Sequence, residues 1–297
     1  MKRIIRLAGL TILLVIAGFF VLLWTGTIWR SPQYMGAERT YDFSTPVISM
    51  SQYDSLAEHP RPYLYQLKNG RGEIYVMGID HTKDPQDPQI PLIAATWNSA
   101  RPDIAFVEGR LGFLFEGLQD PVEQHGENGM TVQLAKDSDV PYYTWEPKRE
   151  QEIAMVLKRF SPEQAALFYS LRPYFSDFRF GKPENPDAVM QDLIDSRTDY
   201  EGIRGAIADV AALDRIWKRD FPMLGDWRNL SDEYGWPKGY LFDIFSLSND
   251  IRDYHMCSLL VEQAKKGRKV FVTMGSSHAF RIEPALRAEM PLLARMP

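Results

Sequence analysis

Two short segments, far apart in the chain, end in the same pattern of a glycine followed three residues later by a histidine. One apolar run leads into Gly78-Ile79-Asp80-His81, and a second leads into Gly275-Ser276-Ser277-His278. The carboxyl ends of parallel strands are where α/β proteins collect ligands. The pair of motifs therefore predicts one site built from both halves of the chain, although each histidine alone could be an ordinary loop residue. We expect each glycine to allow a sharp turn with a positive φ.

Carboxylates follow two further apolar runs. Glu108 comes directly after residues 104–107, and Glu146 follows residues 140–145. The pattern over 88–100 predicts a helix between the first of these runs and the strand before His81, which gives a right-handed βαβ unit. Glu108 would then lie beside His81 at the same edge of the sheet. A carboxylate after a strand can instead cap the next helix, and this alternative is strong for Glu146.

Histidine and glutamate side chains that converge with one position left open form the divalent-metal sites of hydrolases. We predict that His81, Glu108 and His278 bind one divalent ion, with zinc, manganese and cobalt all possible. Glu146, or Glu108 itself, would act as the general base. Arg252 would hold a substrate carboxylate or the oxyanion. The sequence contains no H-E-x-x-H motif, which excludes a zincin.

The N-terminal segment predicts a membrane anchor. Residues 7–24 carry no charge and, as a helix, would span about 27 Å, close to the thickness of a hydrocarbon core. Lys2, Arg3 and Arg6 precede this run, so the positive-inside rule places the N-terminus in the cytoplasm and the main domain outside. A cleaved signal peptide is the alternative, but its apolar region would be long and no A-x-A site follows.

The other patterns predict an α/β (α+β) fold with a small, mostly parallel central sheet and flanking helices. We expect residues 1–30 to form the cytoplasmic tip and transmembrane helix, and 31–61 a stalk. Residues 62–297 would form the main domain, with a helical insertion at about 150–245. Aromatic residues in that insertion predict a packed core or a lid over the site.

Three further elements are predicted from turn and helix signals. The Asn69-Gly70 pair between two apolar runs predicts a β-hairpin over 63–77 that delivers His81. A short helix is expected over 130–136. A longer helix over 250–266, closed by Gly267, would lead into the last strand.

Charge and cysteine content exclude some classes of protein. The chain has 34 Lys and Arg against 39 Asp and Glu, and four of the basic residues precede residue 31, so residues 31–297 have a net charge of −9. With no basic run, nucleic acid is excluded as a partner. The single cysteine, Cys257, cannot form an internal disulfide and is expected to be buried.

Five segments carry a resemblance to a known family. They are GIDH (78–81), PDIAFVEGR (102–110), VPYYTWEPKREQE (140–152), IRDYHM (251–256) and VFVTMGSSHAF (270–280). Together they resemble the TraB/PrgY/Tiki family, which is grouped with erythromycin esterases and ChaN-like proteins. The positions that match the family's motifs are His81, Glu108, Glu146, Gln151, Arg252 and His278.

This resemblance implies a membrane-tethered, divalent-metal-dependent peptidase that acts outside the cytoplasmic membrane. Its substrate would be a peptide or a small ester or amide. The wider group also implies two alternatives. One is a metal-independent esterase with a histidine base, and the other is a non-catalytic protein that binds haem or peptide on the same scaffold.

Overall fold

The computed structural model describes residues 2–38, 42–56, 58–232, 235–290 and 292–295. Side chains are described for all of these except 2–5, 7, 8, 180 and 292–295. The helices are α1 (Lys2–Trp24), α2 (Met50–Asp54), α3 (Gln89–Ala100), α4 (Pro121–Asp137), α5 (Arg149–Val156), α6 (Pro162–Asp177), α7 (Pro186–Arg197), α8 (Val210–Asp220), α9 (Tyr240–Lys265) and α10 (Ser276–Glu289). The strands are β1 (Gln33–Tyr34), β2 (Tyr63–Asn69), β3 (Gly72–Ile79), β4 (Ile104–Val107), β5 (Tyr142–Thr144), β6 (Lys269–Gly275) and β7 (Leu292–Arg295).

The strands form one seven-stranded sheet in the order β1-β5-β4-β6-β3-β2-β7. β1, β5, β4, β6 and β3 run parallel, whereas β2 is antiparallel to both of its neighbours. The predicted α/β class, with a mostly parallel sheet and flanking helices, is confirmed. β2 and β3 form the predicted hairpin, in which Asn69 pairs with Gly72 and Gly70 has φ +61°.

The strands that precede His81 and Glu108 are not neighbours, which corrects the expected side-by-side βαβ unit. β6 lies between them and pairs with β3 on one side and β4 on the other. Helix α3 joins β3 to β4 as predicted, but the crossover leaves room for a third parallel strand. In the register of β3 and β6, Ile79 is opposite Gly275, so the two Gly-x-x-His segments leave the sheet at the same level.

Several helices are longer than predicted or begin elsewhere. The helix expected over 130–136 is the second part of α4, which is kinked at Gly126. The helix expected to start at residue 250 begins ten residues earlier, at Tyr240. The apolar run over 140–145, before Glu146, forms a strand shorter than the run itself, because only residues 142–144 pair with a neighbour.

The chain divides into two compact units. The first contains residues 1–48, 55–146 and 253–297, and the second contains residues 49–54 and 147–252. In the first unit, apolar residues of the sheet pack against α10 and the second half of α9, and Cys257 is buried among them. The second unit is helical, and Phe168, Tyr169, Tyr174 and Phe175 of α6 are buried in its core.

Helix α1 belongs to the first unit and exposes large apolar side chains between Leu10 and Trp24. The side chains of Lys2, Arg3 and Leu7, on which the topology prediction depends, lie outside the described residues. Within the part of the chain that the structure describes, no helix has both the length and the apolar character needed to cross a membrane.

Candidate active site

Glu108 lies between two imidazoles at the carboxyl end of the sheet. Its Oε2 atom is 3.9 Å from Nε2 of His81, and its Oε1 atom is 3.8 Å from Nε2 of His278. His81 follows β3, Glu108 follows β4, and His278 lies in the first turn of α10, directly after β6. Three parallel strands therefore bring together the three residues for which the sequence predicted a shared ion.

A buried carboxylate holds His81 from behind. Oε1 of Glu127 lies 2.7 Å from Nδ1 of His81, and the Glu127 side chain is 2% exposed. The backbone N–H of Thr82 donates to the other oxygen of Glu127 at 3.4 Å. A carboxylate can only accept, so Nδ1 carries the proton of the neutral ring. The lone pair is then on Nε2, which faces Glu108.

His278 has the same arrangement, with Asp253 as its carboxylate. Oδ1 of Asp253 lies 2.5 Å from Nδ1 of His278, and its Oδ2 is 2.7 Å from Nη1 of Arg281. Asp253 and Arg281 are almost fully buried. Trp145 lies edge-on to His278, with 5.4 Å between ring centroids. These contacts fix the ring and again leave the Nε2 lone pair toward Glu108.

Gly275 lies at the crowded centre of this site, where space rather than backbone conformation disfavours a side chain. A Cβ atom at this position would lie 3.0 Å from Nε2 of His81 and 3.6 Å from Oε2 of Glu108. Its φ is −57°, and Gly78 is also not among the glycines with positive φ, so the predicted role of positive φ is wrong for both motifs. The backbone N–H of Gly275 donates to Oε2 of Glu108 at 2.8 Å. The start of α10 adds a favourable field for this carboxylate.

Asn128 connects the strands beneath the site. Its Oδ1 accepts from the backbone N–H of Glu108 at 3.0 Å and from Oγ1 of Thr273 at 3.1 Å. Its Nδ2 donates to Oε1 of Glu127 at 3.1 Å. One buried amide therefore positions both the carboxylate between the imidazoles and the carboxylate behind His81.

The arrangement has the donor set of a cation site. Two imidazole nitrogens with lone pairs face the oxygens of one carboxylate. The described contacts around them contain three carboxylates (Glu108, Glu127 and Asp253) and one guanidinium, that of Arg281. Second carboxylates behind metal-binding histidines fix the tautomer and raise ligand basicity. The side chain of His81 is 36% exposed, so the site opens to solvent on that side.

The spacing of the donor atoms is slightly wider than in a closed ligand shell. Bonds of about 2.0–2.2 Å in tetrahedral geometry separate ligand atoms by about 3.4 Å. The separations of 3.8 and 3.9 Å exceed this by roughly 0.5 Å. Among the described residues, no group of three or more His, Cys, Asp or Glu side chains is arranged so that it could hold a metal ion.

The remaining predicted residues are placed differently. Glu146 lies in the first unit, directly after Trp145, and its carboxylate is close enough to His255 to oppose the lowering of the pKa of that imidazole. Burial is the main cause that lowers the pKa of His255, whose Nδ1 lies 2.8 Å from the carbonyl oxygen of Trp145. Arg252 and Gln151 belong to the second unit, where Nη1 of Arg252 donates to Asn249 at 3.1 Å. Their roles at the site stay predictions.

Sequence reasoning missed Glu127, Asn128 and Asp253. Glu127 and Asn128 lie just after the kink of α4, where Gly126 has φ +63° and a Cβ atom would meet the carbonyl oxygen of Thr82 at 2.6 Å. The run His125-Gly126-Glu127-Asn128 was a usable signal, because polar residues around a glycine can mark a close backbone approach. Asp253 directly follows the predicted Arg252.

The chain was compared with protein-family models, curated proteins and solved structures. No family model, no curated protein and no solved structure matches the chain.

Proposed function

We propose that the protein is a divalent-metal-dependent hydrolase that cleaves an amide or ester bond, in the manner of a Tiki-like peptidase. The observation that carries this proposal is that the Nε2 atoms of His81 and His278 face the two oxygens of Glu108, each ring held from behind by a carboxylate. His81, Glu108 and His278 would hold the ion. When bound, it supplies a Lewis acid and an activated water.

The side chains around the ion have separate tasks in this proposal. Glu127 and Asp253 keep the two imidazoles in the tautomer that binds a cation. Glu146, or Glu108, would take a proton from the attacking water and return it to the leaving group. Arg252 is proposed to bind a substrate carboxylate or the developing oxyanion. The resemblance to the TraB/PrgY/Tiki family supports the same assignment of residues.

A second candidate is a metal-independent esterase. The specific observation in its favour is the pairing of His278 with Asp253 and of His81 with Glu127. A carboxylate that orients an imidazole is also how enzymes prepare a histidine for general base catalysis. In that case turnover would need the histidines but no ion.

We also propose that residues 1–30 anchor the protein in the cytoplasmic membrane, with the N-terminus inside and the main domain outside. The support is the uncharged run from residue 7 to residue 24 after three basic residues, together with the exposed apolar side chains of α1. The substrate would then be a peptide or a small ester or amide outside the cytoplasm.

The test measures hydrolysis and metal dependence in one preparation. Full-length protein in detergent is stripped with a chelator and incubated with a diverse peptide mixture and an activated ester, with and without added zinc, manganese or cobalt. Mass spectrometry of the products should show cleavage only with metal. His278→Ala should abolish it, and Glu146→Gln should reduce turnover by about 10²–10⁴-fold while metal content is kept.

Glu123→Gln is the matched control, since Glu123 is an exposed carboxylate of α4. It should behave as the wild type. Ester cleavage that survives metal removal but not His278→Ala would favour the esterase. A stripped and reloaded protein that cleaves neither substrate class would contradict both candidates and leave a binding protein.

A further inference from the structure

The loop that follows Glu108 exposes a cluster of large apolar side chains. Phe113 is 61% exposed, Phe115 40% and Leu118 84%. Trp24, the last residue of α1, is 83% exposed. Contiguous apolar surface of this kind marks an interaction site on a folded protein. We call residues 110–119 the apolar loop.

The apolar loop is joined to the end of α1 by specific contacts within the first unit. The rings of Phe113 and Phe19 meet edge-on, with 6.1 Å between their centroids. Ile28 forms an isolated antiparallel bridge with Phe115, and the backbone N–H of Trp29 donates to the carbonyl oxygen of Leu114 at 2.8 Å. The loop and the C-terminal end of α1 therefore form one continuous apolar surface.

The carboxylate within the loop is neutralised by its neighbours. Oε2 of Glu116 accepts from Nε1 of Trp29 at 3.1 Å and lies 3.3 Å from Nζ of Lys136. The same ammonium donates to the carbonyl oxygen of Gly26 at 3.1 Å and lies 5.7 Å from the centroid of the Trp29 ring. A paired carboxylate surrounded by exposed aromatic and aliphatic residues suits the boundary between headgroups and hydrocarbon.

We propose that the apolar loop inserts into the lipid bilayer beside α1. This inference rests on the membrane anchor proposed above. Phe19 precedes Trp24 by five residues, which is about 7.5 Å along a helix. If Trp24 lies at the interface, Phe113, in contact with Phe19, reaches the outer part of the hydrocarbon. A bilayer fits this surface because it is apolar at the depth of Phe19 and Phe113 and accommodates tryptophan at its interface.

The insertion limits where the site can work. Glu108 is five residues from Phe113, and an extended chain of that length spans at most about 18 Å. The bond that is cleaved must then lie within about two nanometres of the inserted loop. The site would then be within reach of substrates that are themselves held at the membrane surface.

The experiment reads the depth of a label at the loop. Leu118→Cys is labelled with a small fluorophore in the full-length chain, and the matched control is Met223→Cys, because Met223 is 94% exposed but belongs to the second unit. Cys257 is buried and burial raises the pKa of its thiol, so it reacts slowly. Both proteins are reconstituted in vesicles of phosphatidylcholine and phosphatidylglycerol, with or without a nitroxide on the upper acyl chain.

The label at Leu118→Cys should lose fluorescence to the nitroxide lipid and be shielded from aqueous iodide. The label at Met223→Cys should show the reverse. If the protein floats with the vesicles and both labels are quenched equally by the nitroxide lipid and by iodide, the proposal is overturned. A Leu118→Cys label that is shielded from both quenchers would also overturn it and would indicate a protein partner. Protein that does not float overturns both the anchor and the inserted loop. Neither readout depends on hydrolysis, so the metal site is tested separately.

Discussion

Replacing Glu127 by glutamine tests whether His81 is prepared for a cation. Glutamine keeps the size of the side chain and can still accept from Nδ1 of His81, which lies 2.7 Å from the carboxylate. It removes the charge, so a hydrogen bond worth about 1.5–3 kcal/mol becomes a neutral one worth about 0.5–1.5 kcal/mol. The difference of roughly 1–1.5 kcal/mol corresponds to about a tenfold loss of metal affinity.

Two further effects increase this loss. The buried amide can also turn its NH₂ group toward Nδ1, which would force the proton to Nε2 and remove the lone pair that faces Glu108. Carboxylates behind metal-binding histidines affect affinity by about 10–100-fold in general. We therefore expect Glu127→Gln to weaken zinc binding by about 10–100-fold while the protein stays folded.

The assay is competition for zinc with a chelating dye at neutral pH, with circular dichroism on the same samples. Glu123→Gln, four residues earlier on α4 and exposed, is the control and should bind zinc as the wild type does. Unchanged affinity in folded Glu127→Gln would refute the reasoning, because His81 would then bind the ion without help from the carboxylate.

Three further outcomes follow from the same contacts. Gly275→Ala places a methyl group 3.0 Å from Nε2 of His81 and should cost about tenfold in zinc affinity, whereas Gly36→Ala, with nothing within 4 Å, should cost nothing in the same dye competition. Asp253→Asn removes the negative charge that faces the buried guanidinium of Arg281 and should lower the free energy of unfolding by about 3–5 kcal/mol in urea titrations. Adding Arg281→Met should restore stability but not zinc affinity. Burial lowers the pKa of His255 in the folded protein. The contribution of this residue to stability is therefore complete above about pH 6.5, the pKa of histidine in an unfolded chain, and is lost as the pH falls toward the lower pKa of the folded state. His255→Asn should reduce the drop in melting temperature over that window, and an undiminished drop would contradict the role of burial.

Local patterns were enough to predict the elements that end at the site. The apolar runs before His81, Glu108 and His278 are strands β3, β4 and β6, and the Asn-Gly pair forms the turn of the β2–β3 hairpin. Their order in the sheet was not predictable in the same way. An apolar run shows that a strand is buried, but β6 pairs between β3 and β4 through contacts between residues about 165 to 195 positions apart in the chain.

The residues behind the imidazoles were harder to predict. Glu127 and Asn128 are buried polar residues, and a periodicity argument assigns such residues to the surface. They are buried because His81, Glu108 and Thr273 satisfy their hydrogen bonds, which only the folded chain brings together. The kink at Gly126 also interrupts the apolar spacing, so the first part of α4 did not read as helix.

The most direct test of the central proposal is anomalous diffraction from crystals of the protein grown with zinc and measured on both sides of the zinc edge. We predict one strong anomalous peak within about 2.2 Å of Nε2 of His81, Nε2 of His278 and an oxygen of Glu108. Crystals of His278→Ala grown under the same conditions should lack that peak. A zinc-loaded crystal with no anomalous density between these three side chains, or with its peak at another place in the chain, would contradict the account.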